Sequence, residues 1–206
     1  MVYKEVAQII TRSKNMVVLT GAGCSVESGV PDFRSPSGWW KQIDPKTVAT
    51  VKALETNYPL FHSFYTTRVN HLRNILPHAG HKILARWEQV GHIKLIATQN
   101  VDGLHQAAGS SSVQELHGSI KEFRCHSCGK ATDEEAFIYE RPCQCGGKLR
   151  PSVVLFGENL PNDAWQRSME AIESADVVMV IGTSLQVHPV NQSPFYHKRE
   201  INLNQC

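Results

Sequence analysis

Residues 16–23 read MVVLTGAG, a short apolar run that ends abruptly in a turn with two glycines. An uninterrupted apolar run of this length is typical of a parallel strand buried on both faces. Two later segments repeat the pattern: the mostly apolar residues 93–97 lead into a polar loop at 98–104, and residues 177–181 lead into Gly182-Thr183-Ser184. These segments predict three buried parallel strands, each followed by a polar or glycine-bearing loop.

Helical patterns separate the predicted strands. Residues 2–13, 60–75 and roughly 81–89 carry apolar side chains at helical spacing. Residues 31–45 have no period and are rich in Pro, Ser, Gly and Trp, which predicts a long ordered loop, and Asp44-Pro45 predicts a helix start. Strands that alternate with helices indicate an α/β fold around a parallel sheet, in which ligands bind at the carboxyl ends of the strands.

The bulk composition excludes several classes of function. The chain has 206 residues and a formal net charge of +2, so it lacks the strongly basic surface typical of nucleic-acid binding. Charged residues at positions 4, 5, 12 and 14 interrupt any signal-peptide-like run, and the apolar run at 177–181 is far too short to span a bilayer. We therefore expect neither a membrane nor a nucleic acid as a partner. A monomer is also expected, and the clustered cysteines described next favour a reducing compartment, most simply the cytoplasm.

Four of the six cysteines form a tight cluster. Cys125-x-x-Cys128 is followed, after fourteen residues, by Cys143-x-Cys145, which predicts four thiolate ligands for one tetrahedral Zn²⁺. With four cysteine ligands no coordination position is open, so the metal is expected to be structural. A nucleic-acid-binding zinc ribbon is the alternative, but the acidic residues within 132–140 would repel phosphate.

The Gly21-Ala22-Gly23 turn admits two interpretations. It suits close approach of a backbone to a pyrophosphate, but a tight turn that uses glycine for geometry alone explains it equally well. It departs from the hydride-transfer fingerprint, since Val26 occupies the third glycine position and no second strand ending in an acidic residue follows. An NAD-dependent dehydrogenase is therefore disfavoured.

Longer stretches around this turn are more specific. They are GAGCSVESGVPDFRSPSGWW at 21–40, TQNVDGLH at 98–105, LHGS at 116–119, VVLFGENLP at 153–161, GTSLQV at 182–187 and INLN at 201–204. In this order, over nearly the whole chain, they resemble the sirtuin family of NAD-dependent protein deacylases. The resemblance implies removal of acyl groups from protein lysines, which yields nicotinamide and O-acyl-ADP-ribose, with NAD as co-substrate and acyl-lysine proteins or peptides bound as an added strand.

The resemblance also implies roles for individual residues. His117 would be the general base, since a neutral imidazole accepts a ribose hydroxyl proton near pH 7. The cofactor-binding set would be Gly21, Ala22, Gly23, Ser25, Asp32, Phe33, Arg34, Gln99, Asn100, Asp102, Gly182, Thr183, Ser184, Asn202, Leu203 and Asn204. The substrate-binding set would be Ala49, Tyr65, Arg68, Val154, Phe156, Gly157 and Glu158.

Tyr65 and Arg68 also bear on the acyl group. They lie three residues apart on one predicted helix face, where a phenol and a guanidinium could bind a carboxylate together. Sirtuins that remove succinyl or malonyl groups carry such a Tyr-x-x-Arg pair with an alanine sixteen residues before the tyrosine, as Ala49 is here, which resembles the bacterial-type subgroup. The alternative is that Tyr65 packs in the core and Arg68 is a solvated charge. We favour an acidic acyl group, with deacetylation retained.

The expected fold is a Rossmann-like parallel sheet with a helical insertion and a small zinc-binding module. Residues 1–34, 78–120 and 150–206 would form the NAD-binding domain, 35–77 the cofactor loop and helical module, and 121–149 the zinc module. The carboxyl end reads as shortened relative to sirtuins, either by truncation or by residues absent from the sequence, and a true truncation would weaken NAD binding.

Two rival functions remain open at this point. An NAD hydrolase or mono-ADP-ribosyltransferase would use the same loops. A catalytically silent binding module would become plausible if the carboxyl end is truly truncated. Cys24 is interpreted as a small buried filler, with redox sensitivity as the alternative.

Overall fold

A computed structural model describes residues 2–36 and 38–197, and within these ranges the chain forms two sheets. The strands are β1 Met16–Thr20, β2 Ile93–Thr98, β3 Val113–Glu115, β4 Gly118–Cys125, β5 Ala131–Thr132, β6 Leu149–Val153 and β7 Val177–Ile181. The first sheet is parallel in the order β3-β2-β1-β7, and the second is antiparallel in the order β5-β4-β6. The predicted Rossmann-like α/β fold with a parallel sheet is confirmed.

Helices fill the connections between the strands. They are α1 Val2–Arg12, α2 Trp39–Gln42, α3 Pro45–Val48, α4 Val51–Thr56, α5 Tyr58–Leu72, α6 Ala79–Gln89, α7 Leu104–Ala107, α8 Glu134–Ile138 and α9 Asn162–Ser174, with 3₁₀ segments at Ala22–Ser28 and Val190–Tyr196. The predicted helix at 60–75 is shifted to Tyr58–Leu72, because Asn57 caps its start by accepting the Leu60 amide. None of the helices in the described ranges is long and apolar enough to cross a bilayer.

The parallel sheet brings three loops to one edge. Every residue of β1 is buried, as its apolar sequence predicts. Thr20 at its end is level with Thr98 of β2 and Ile181 of β7, so the loops after these strands begin side by side. The prediction that β7 is fully buried is wrong: within the described residues β7 pairs only with β1, and Val180 is 38% exposed.

The helical insertion and the antiparallel sheet share one hydrophobic core. Phe61 of α5, Ile120 and Phe123 of β4 and Phe137 of α8 are buried in the same cluster. This core fixes α5 relative to β6 and the segment that follows it. The loop predicted for residues 31–45 contains the short helix α2, whereas the predicted start at Asp44 is confirmed, since its carboxylate accepts the Lys46 amide.

Candidate active site

A cavity of about 580 Å³ opens at the carboxyl edge of the parallel sheet, between its loops and helix α5. His117 lines it, together with every predicted cofactor- and substrate-binding residue that lies within the described ranges. Asn202, Leu203 and Asn204, predicted for the adenosine half, lie outside the described residues. Segments far apart in the sequence are therefore gathered around one space.

Close packing between the loops after β1 and β7 explains why Gly23 and Gly182 are glycines. The Gly23 amide donates to the Gly182 carbonyl at 2.8 Å, and a Cβ on Gly23 would lie 2.9 Å from Gly182 atoms. Gly182 has φ +62, and a Cβ there would lie 2.1 Å from the Cys24 nitrogen. The loops after β1 and β7 thus approach so closely that neither position accepts a side chain, while Ala22 between them lines the cavity.

A buried hydrogen-bond network joins the loops after β1 and β2. The Ser25 hydroxyl donates to Asp102 Oδ2 at 2.7 Å and accepts from Asn100 Nδ2 at 3.0 Å. Asp102 Oδ1 also accepts the Leu104 amide at 2.9 Å. These polar groups are therefore largely satisfied within the protein, so their burial alone does not require a ligand. Their contribution to the site is a rigid junction between two loops.

His117 stands at the inner wall of the cavity with a defined orientation. Its Nδ1 lies 3.1 Å from the Gln99 carbonyl oxygen. Because a carbonyl oxygen only accepts, we assign the ring proton to Nδ1, which leaves the Nε2 lone pair available as a base. Burial lowers the pKa of His117 below its ordinary value, and the hydrogen bond to Gln99 opposes that shift in part. The imidazole is therefore neutral at pH 7, the form that a general base requires.

The lowered pKa of His117 predicts a pH profile for the deacylation that the sequence resemblance implies. Protonation of His117 removes the basic lone pair, so we expect kcat/KM to fall as the pH drops through a pKa below 6.5 and to show no His117-dependent loss above pH 7. The measurement is kcat/KM on an acyl-lysine peptide between pH 5 and pH 8. An acid limb centred above pH 7 would contradict the assignment.

Gln99 and Arg34 link the remaining loops. The Gln99 side-chain amide donates to the Thr183 hydroxyl at 2.9 Å, which ties the loop after β2 to the loop after β7. Arg34 Nη1 lies 3.5 Å from the Ser184 hydroxyl at the cavity rim. Asp32 Oδ1 accepts the Ser35 amide at 3.1 Å, so this carboxylate shapes its own loop.

Trp39 and Trp40, which the sequence did not assign to the site, complete an aromatic wall with the predicted Phe33 and Phe156. Phe33 stacks on Trp40 at 4.9 Å between ring centroids, and Trp40 in turn lies 6.2 Å from Phe64 and 6.5 Å from Phe156. Trp39 and Trp40 both line the cavity. Two adjacent tryptophans in a predicted loop were the feature of the sequence that could have indicated this wall. Side chains of this size usually pack against an apolar surface.

Arg68 reaches the cavity from helix α5. Its guanidinium lies 5.4 Å from the Phe33 ring centroid, 5.6 Å from Phe64 and 5.7 Å from Tyr65. Among the described residues no carboxylate lies within ion-pair distance of it, and burial lowers its pKa. The side chain is therefore a half-buried cation that faces aromatic rings and has no direct ion pair within that part of the chain, although the more distant Asp102 raises its pKa in part.

The segment after β6 is fixed on both sides. The Val154 amide donates to the His117 carbonyl, and the Phe156 amide donates to the Ala49 carbonyl, each at 2.8 Å. The segment thus crosses the cavity between the expected base and the small residue predicted for the acyl site. Phe156 remains 48% exposed.

Glu158 has a role that sequence reasoning missed. Its carboxylate makes two hydrogen bonds, of 2.6 and 2.9 Å, with the fully buried guanidinium of Arg150, and it accepts the Leu155 amide at 2.8 Å. Burial alone would raise the pKa of Glu158, but the bonds from Arg150 and Leu155 outweigh it and the pKa lies below its ordinary value. The Glu158 carboxylate therefore links the segment 154–157 to the buried Arg150.

The four clustered cysteines meet at the end of β4. Their sulfur atoms all lie within 4.8 Å of one another, with Cys125 to Cys145 at 3.5 Å and Cys128 to Cys143 at 3.7 Å. Thiolates on a tetrahedral zinc ion are about 3.8 Å apart, so the cluster fits Zn²⁺ without rearrangement. A Cβ on Gly147 would lie 2.6 Å from the Cys125 sulfur, which explains a glycine behind the second pair. The single residue between Cys143 and Cys145 does not prevent all four from converging.

We expect one tightly held zinc ion per chain and strong dependence of the fold on it. Because the cysteines join β4 to the turn before β6, Cys128→Ser or a strong chelator should release the metal and lower the melting temperature. Metal analysis of the purified protein, with thermal unfolding before and after chelation, checks this. Zinc-free protein with an unchanged melting temperature would contradict a structural metal.

The sequence was compared with protein families and with known proteins. The Sir2 family model matches residues 21–189. Over 191 residues the chain is 48% identical to an NAD-dependent protein deacetylase of Oceanobacillus iheyensis, covering 92% of this chain and 81% of the relative. It is 44% identical over 192 residues to an NAD-dependent protein deacylase of Pyrobaculum aerophilum, covering 92% of this chain and 77% of that protein.

Solved structures agree with the sequence match. A Sir2 homologue mutant in complex with ADP ribose superposes with a TM-score of 0.89 at 38% identity, covering 94% of this chain and 79% of that one. A complex described as Sir2 with a p53 peptide and NAD⁺ superposes with a TM-score of 0.86 at 34% identity, covering 95% and 82%. The chain therefore belongs to the Sir2 family.

Proposed function

We propose that this protein is an NAD-dependent protein-lysine deacylase that transfers the acyl group of a lysine side chain to ADP-ribose. The observation that carries the proposal is His117, which lies in the cavity between the dinucleotide loops and the peptide segment with a defined tautomer and a lowered pKa. Membership of the Sir2 family supports the same reaction, and relatives bear the names deacetylase and deacylase.

The proposed acyl transfer begins at the acyl-lysine and uses His117 as the base. The acyl carbonyl oxygen attacks the ribose carbon of NAD that carries nicotinamide; the bond to nicotinamide breaks and nicotinamide leaves. His117 Nε2 then accepts a ribose hydroxyl proton, and the freed ribose oxygen attacks the acyl carbon. Water completes the release of lysine, and the acyl group remains on ADP-ribose. The network of Ser25, Asn100 and Asp102 keeps the loops rigid around the ribose.

A peptide in extended form suits the groove at residues 154–157. The Val154 and Phe156 amides are bonded to the His117 and Ala49 carbonyls, and Leu155 is bonded to Glu158 through both its amide and its carbonyl, so an added strand would pair with the main-chain groups that these bonds leave. Such pairing uses main-chain atoms, so we expect a loose preference for the sequence of the peptide. A related Sir2 structure contains a p53 peptide with NAD⁺, which supports peptide binding in this family.

An acidic acyl group is the finer part of the proposal. The Arg68 guanidinium faces the cavity among aromatic rings, and no carboxylate of the described residues lies within ion-pair distance of it, although the charge of Asp102 acts on it from farther away. Burying a cation is costly unless an anion pairs with it, and a succinyl or malonyl carboxylate would supply one. Tyr65 packs against the same guanidinium, and the small Ala49, 6% exposed, leaves space for a longer chain. The same three residues, Ala49, Tyr65 and Arg68, support the proposal that the chain belongs to the bacterial-type subgroup.

Three further expectations stay part of the proposal. They are the division into an NAD-binding domain, a helical module at 35–77 and a zinc module at 121–149, the monomeric state, and the cytoplasmic location. The shared core between helix α5 and strand β4 implies that the helical and zinc parts move together.

Product analysis separates the proposed function from its rivals. The protein is incubated with NAD and with acetyl-, succinyl- or malonyl-lysine peptide, and the products are identified by mass spectrometry. Deacylation yields nicotinamide and O-acyl-ADP-ribose in equal amounts. Free ADP-ribose without peptide turnover would indicate an NAD hydrolase, labelled protein an ADP-ribosyltransferase, and no consumption of NAD a silent binding module.

Arg68→Met tests the acidic-acyl proposal. Hydrogen bonds to charged groups contribute about 1.5–3 kcal/mol, so we expect kcat/KM on a succinyl-lysine peptide to fall by roughly 10- to 150-fold. Turnover of the acetyl-lysine peptide should change by only a few fold, because acetyl carries no carboxylate. Steady-state kinetics on both peptides provide the measurement.

Arg73→Met is the matched control. Arg73 follows the same helix but is exposed and pairs with Glu134, away from the cavity. Both peptides should be turned over by this variant as by the wild type. Equal losses on the two peptides in Arg68→Met, or no loss on either, would exclude recognition of a carboxylate by Arg68.

A further inference from the structure

A second cluster of metal-ligating side chains lies beneath the 3₁₀ segment Ala22–Ser28. It consists of Cys24 from that segment, His81 from α6 and His105 from α7, and one ligand atom of each lies within 4.8 Å of the others. The three side chains are buried, with 7%, 0% and 1% of their surface exposed. None of them lines the active-site cavity, so the described mechanism does not use them.

The histidines of this cluster are short of hydrogen bonds. Among the described residues, both ring nitrogens of His81 and Nδ1 of His105 have no partner, whereas His105 Nε2 lies 2.9 Å from the Thr20 hydroxyl. A buried polar atom without a hydrogen-bond partner destabilises the fold, so such atoms call for an explanation. The neighbouring His78 is satisfied, with Nε2 2.7 Å from the Cys24 carbonyl and Nδ1 accepting the Gly80 amide at 2.9 Å. Unpartnered nitrogens therefore converge on a thiol.

The protonation state of the rings suits a metal. Burial, followed by the neighbouring His105 and His78, lowers the pKa of His81 to about 4, and burial also lowers the pKa of His105. Both rings are neutral at pH 7 and offer lone pairs. Burial raises the pKa of Cys24 to about 11, so a bound ion would have to displace the thiol proton, as zinc does at other cysteine sites.

We propose that Cys24, His81 and His105 form a second, inhibitory zinc site with three protein ligands. One sulfur and two imidazole nitrogens are donors that zinc prefers, and around a tetrahedral ion they lie about 3.3–3.6 Å apart. The ligand atoms of Cys24, His81 and His105 now lie within 4.8 Å of one another, so they must move together by about an ångström. Rotation of the side chains and a small shift of the Ala22–Ser28 segment supply this movement. The fourth position is left to water.

Occupancy of this site would disturb the dinucleotide loop. Cys24 lies between Gly23, which packs on Gly182 without space for a methyl group, and Ser25, which bonds Asp102. Drawing Cys24 toward α6 and α7 would pull both neighbours from these contacts. On the proposed function, zinc therefore inhibits NAD-dependent turnover, and it does so slowly because the covering segment must open first. Bound NAD, which holds that segment in place, slows the inhibition further.

The test begins with metal content, which does not depend on the catalytic activity. Wild-type protein that carries its cysteine-bound zinc is incubated with excess ZnCl₂, freed of loose metal by gel filtration and analysed for zinc per chain. We expect two zinc ions in wild type, one in Cys24→Ala and two in the control His92→Asn, which removes a histidine outside the cluster. His81→Gln, expected to hold one, provides a second ligand deletion should Cys24→Ala fold poorly.

The activity arm uses the same samples. Wild-type turnover of an acetyl-lysine peptide should decline over the incubation with zinc, more slowly when NAD is present, while Cys24→Ala retains its turnover. A wild-type protein that holds a single zinc, or ligand variants that hold two, would overturn the second site. Two zinc ions with no loss of turnover would overturn its inhibitory role, and an enzyme inactive before any zinc is added would instead count against the proposed deacylase function.

Discussion

His117→Tyr should abolish deacylation while leaving the protein folded. General-base catalysis contributes roughly 10²- to 10⁴-fold in rate, and tyrosine offers no base at neutral pH, so kcat/KM on an acyl-lysine peptide should fall at least about 100-fold. The ring is half-buried at the cavity wall, and its one hydrogen bond within the described residues goes to the Gln99 carbonyl. The main-chain bond from Val154 to the His117 carbonyl is independent of the side chain and survives the change.

The control separates catalysis from folding. His126→Tyr alters another partly buried histidine, near the zinc cluster and outside the cavity, and should leave kcat/KM close to that of the wild type. Melting temperature and zinc content should match the wild type in His117→Tyr. Near-normal turnover by this variant would remove His117 from the mechanism, and a large drop in melting temperature would indicate a structural role instead.

The parallel sheet could be predicted because of how such strands are built. A strand covered on both faces has no polar side to alternate with, so β1 stands out as an apolar run that ends at a glycine turn. The loops at its carboxyl edge followed from that assignment, since parallel strands end together. The predicted full burial of strand β7 is wrong because an apolar run does not reveal how many neighbours a strand has, and among residues 2–36 and 38–197 β7 pairs with β1 alone.

The antiparallel sheet gave a weaker signal. Strand β6 contains Arg150 and Pro151, two residues that argue against a buried strand when read from composition alone. Arg150 is nevertheless fully buried, because Glu158 reaches back to it across a turn at Gly157. Nothing local in the sequence marks that pair, since neither periodicity nor a motif links the two positions.

Residues that converge through the fold were the hardest to foresee. Trp40 contributes to the aromatic wall because α2 returns the loop toward α5, a path that a stretch without periodicity does not specify. Cys24 is buried, as expected of a small filler, but its proximity to His81 and His105 could not be predicted, because these residues join it only when α6 and α7 pack beneath the first loop. In both cases the missing information was the tertiary path of a loop.

Glu158→Gln should destabilise the protein more than any surface substitution. Removing one partner of a buried ion pair leaves an uncompensated charge, at a cost of about 3–5 kcal/mol. Because Glu158 is 23% exposed and Arg150 also donates to the Pro151 and Val153 carbonyls, we expect the lower end, about 3 kcal/mol. For a chain of this size that corresponds to a melting temperature lower by roughly 6–12 °C. Thermal unfolding at pH 7 provides the measurement.

Glu135→Gln is the matched control for this pair. Glu135 bonds Arg141 at 2.8 Å, but both side chains are more than half exposed, and such pairs contribute about 0–1 kcal/mol. Its melting temperature should therefore stay within a few degrees of the wild type. An equal decrease of the melting temperature in Glu158→Gln and Glu135→Gln would show that the burial of Arg150 does not determine the loss of stability.

The pH dependence distinguishes a lost ion pair from a packing defect. The pKa of Glu158 is lower in the folded protein than in the unfolded chain, so its contribution is complete above the unfolded value of about 4.3 and is lost as the pH falls through the folded pKa. The stability gap between wild type and Glu158→Gln should thus be constant from pH 5 to 7 and narrow below about pH 4. A stability difference that persists unchanged in acid would mean that the substitution acts through a change in packing. A difference that disappears would identify the charge on Glu158 as what holds the segment 154–157 against His117 and Ala49.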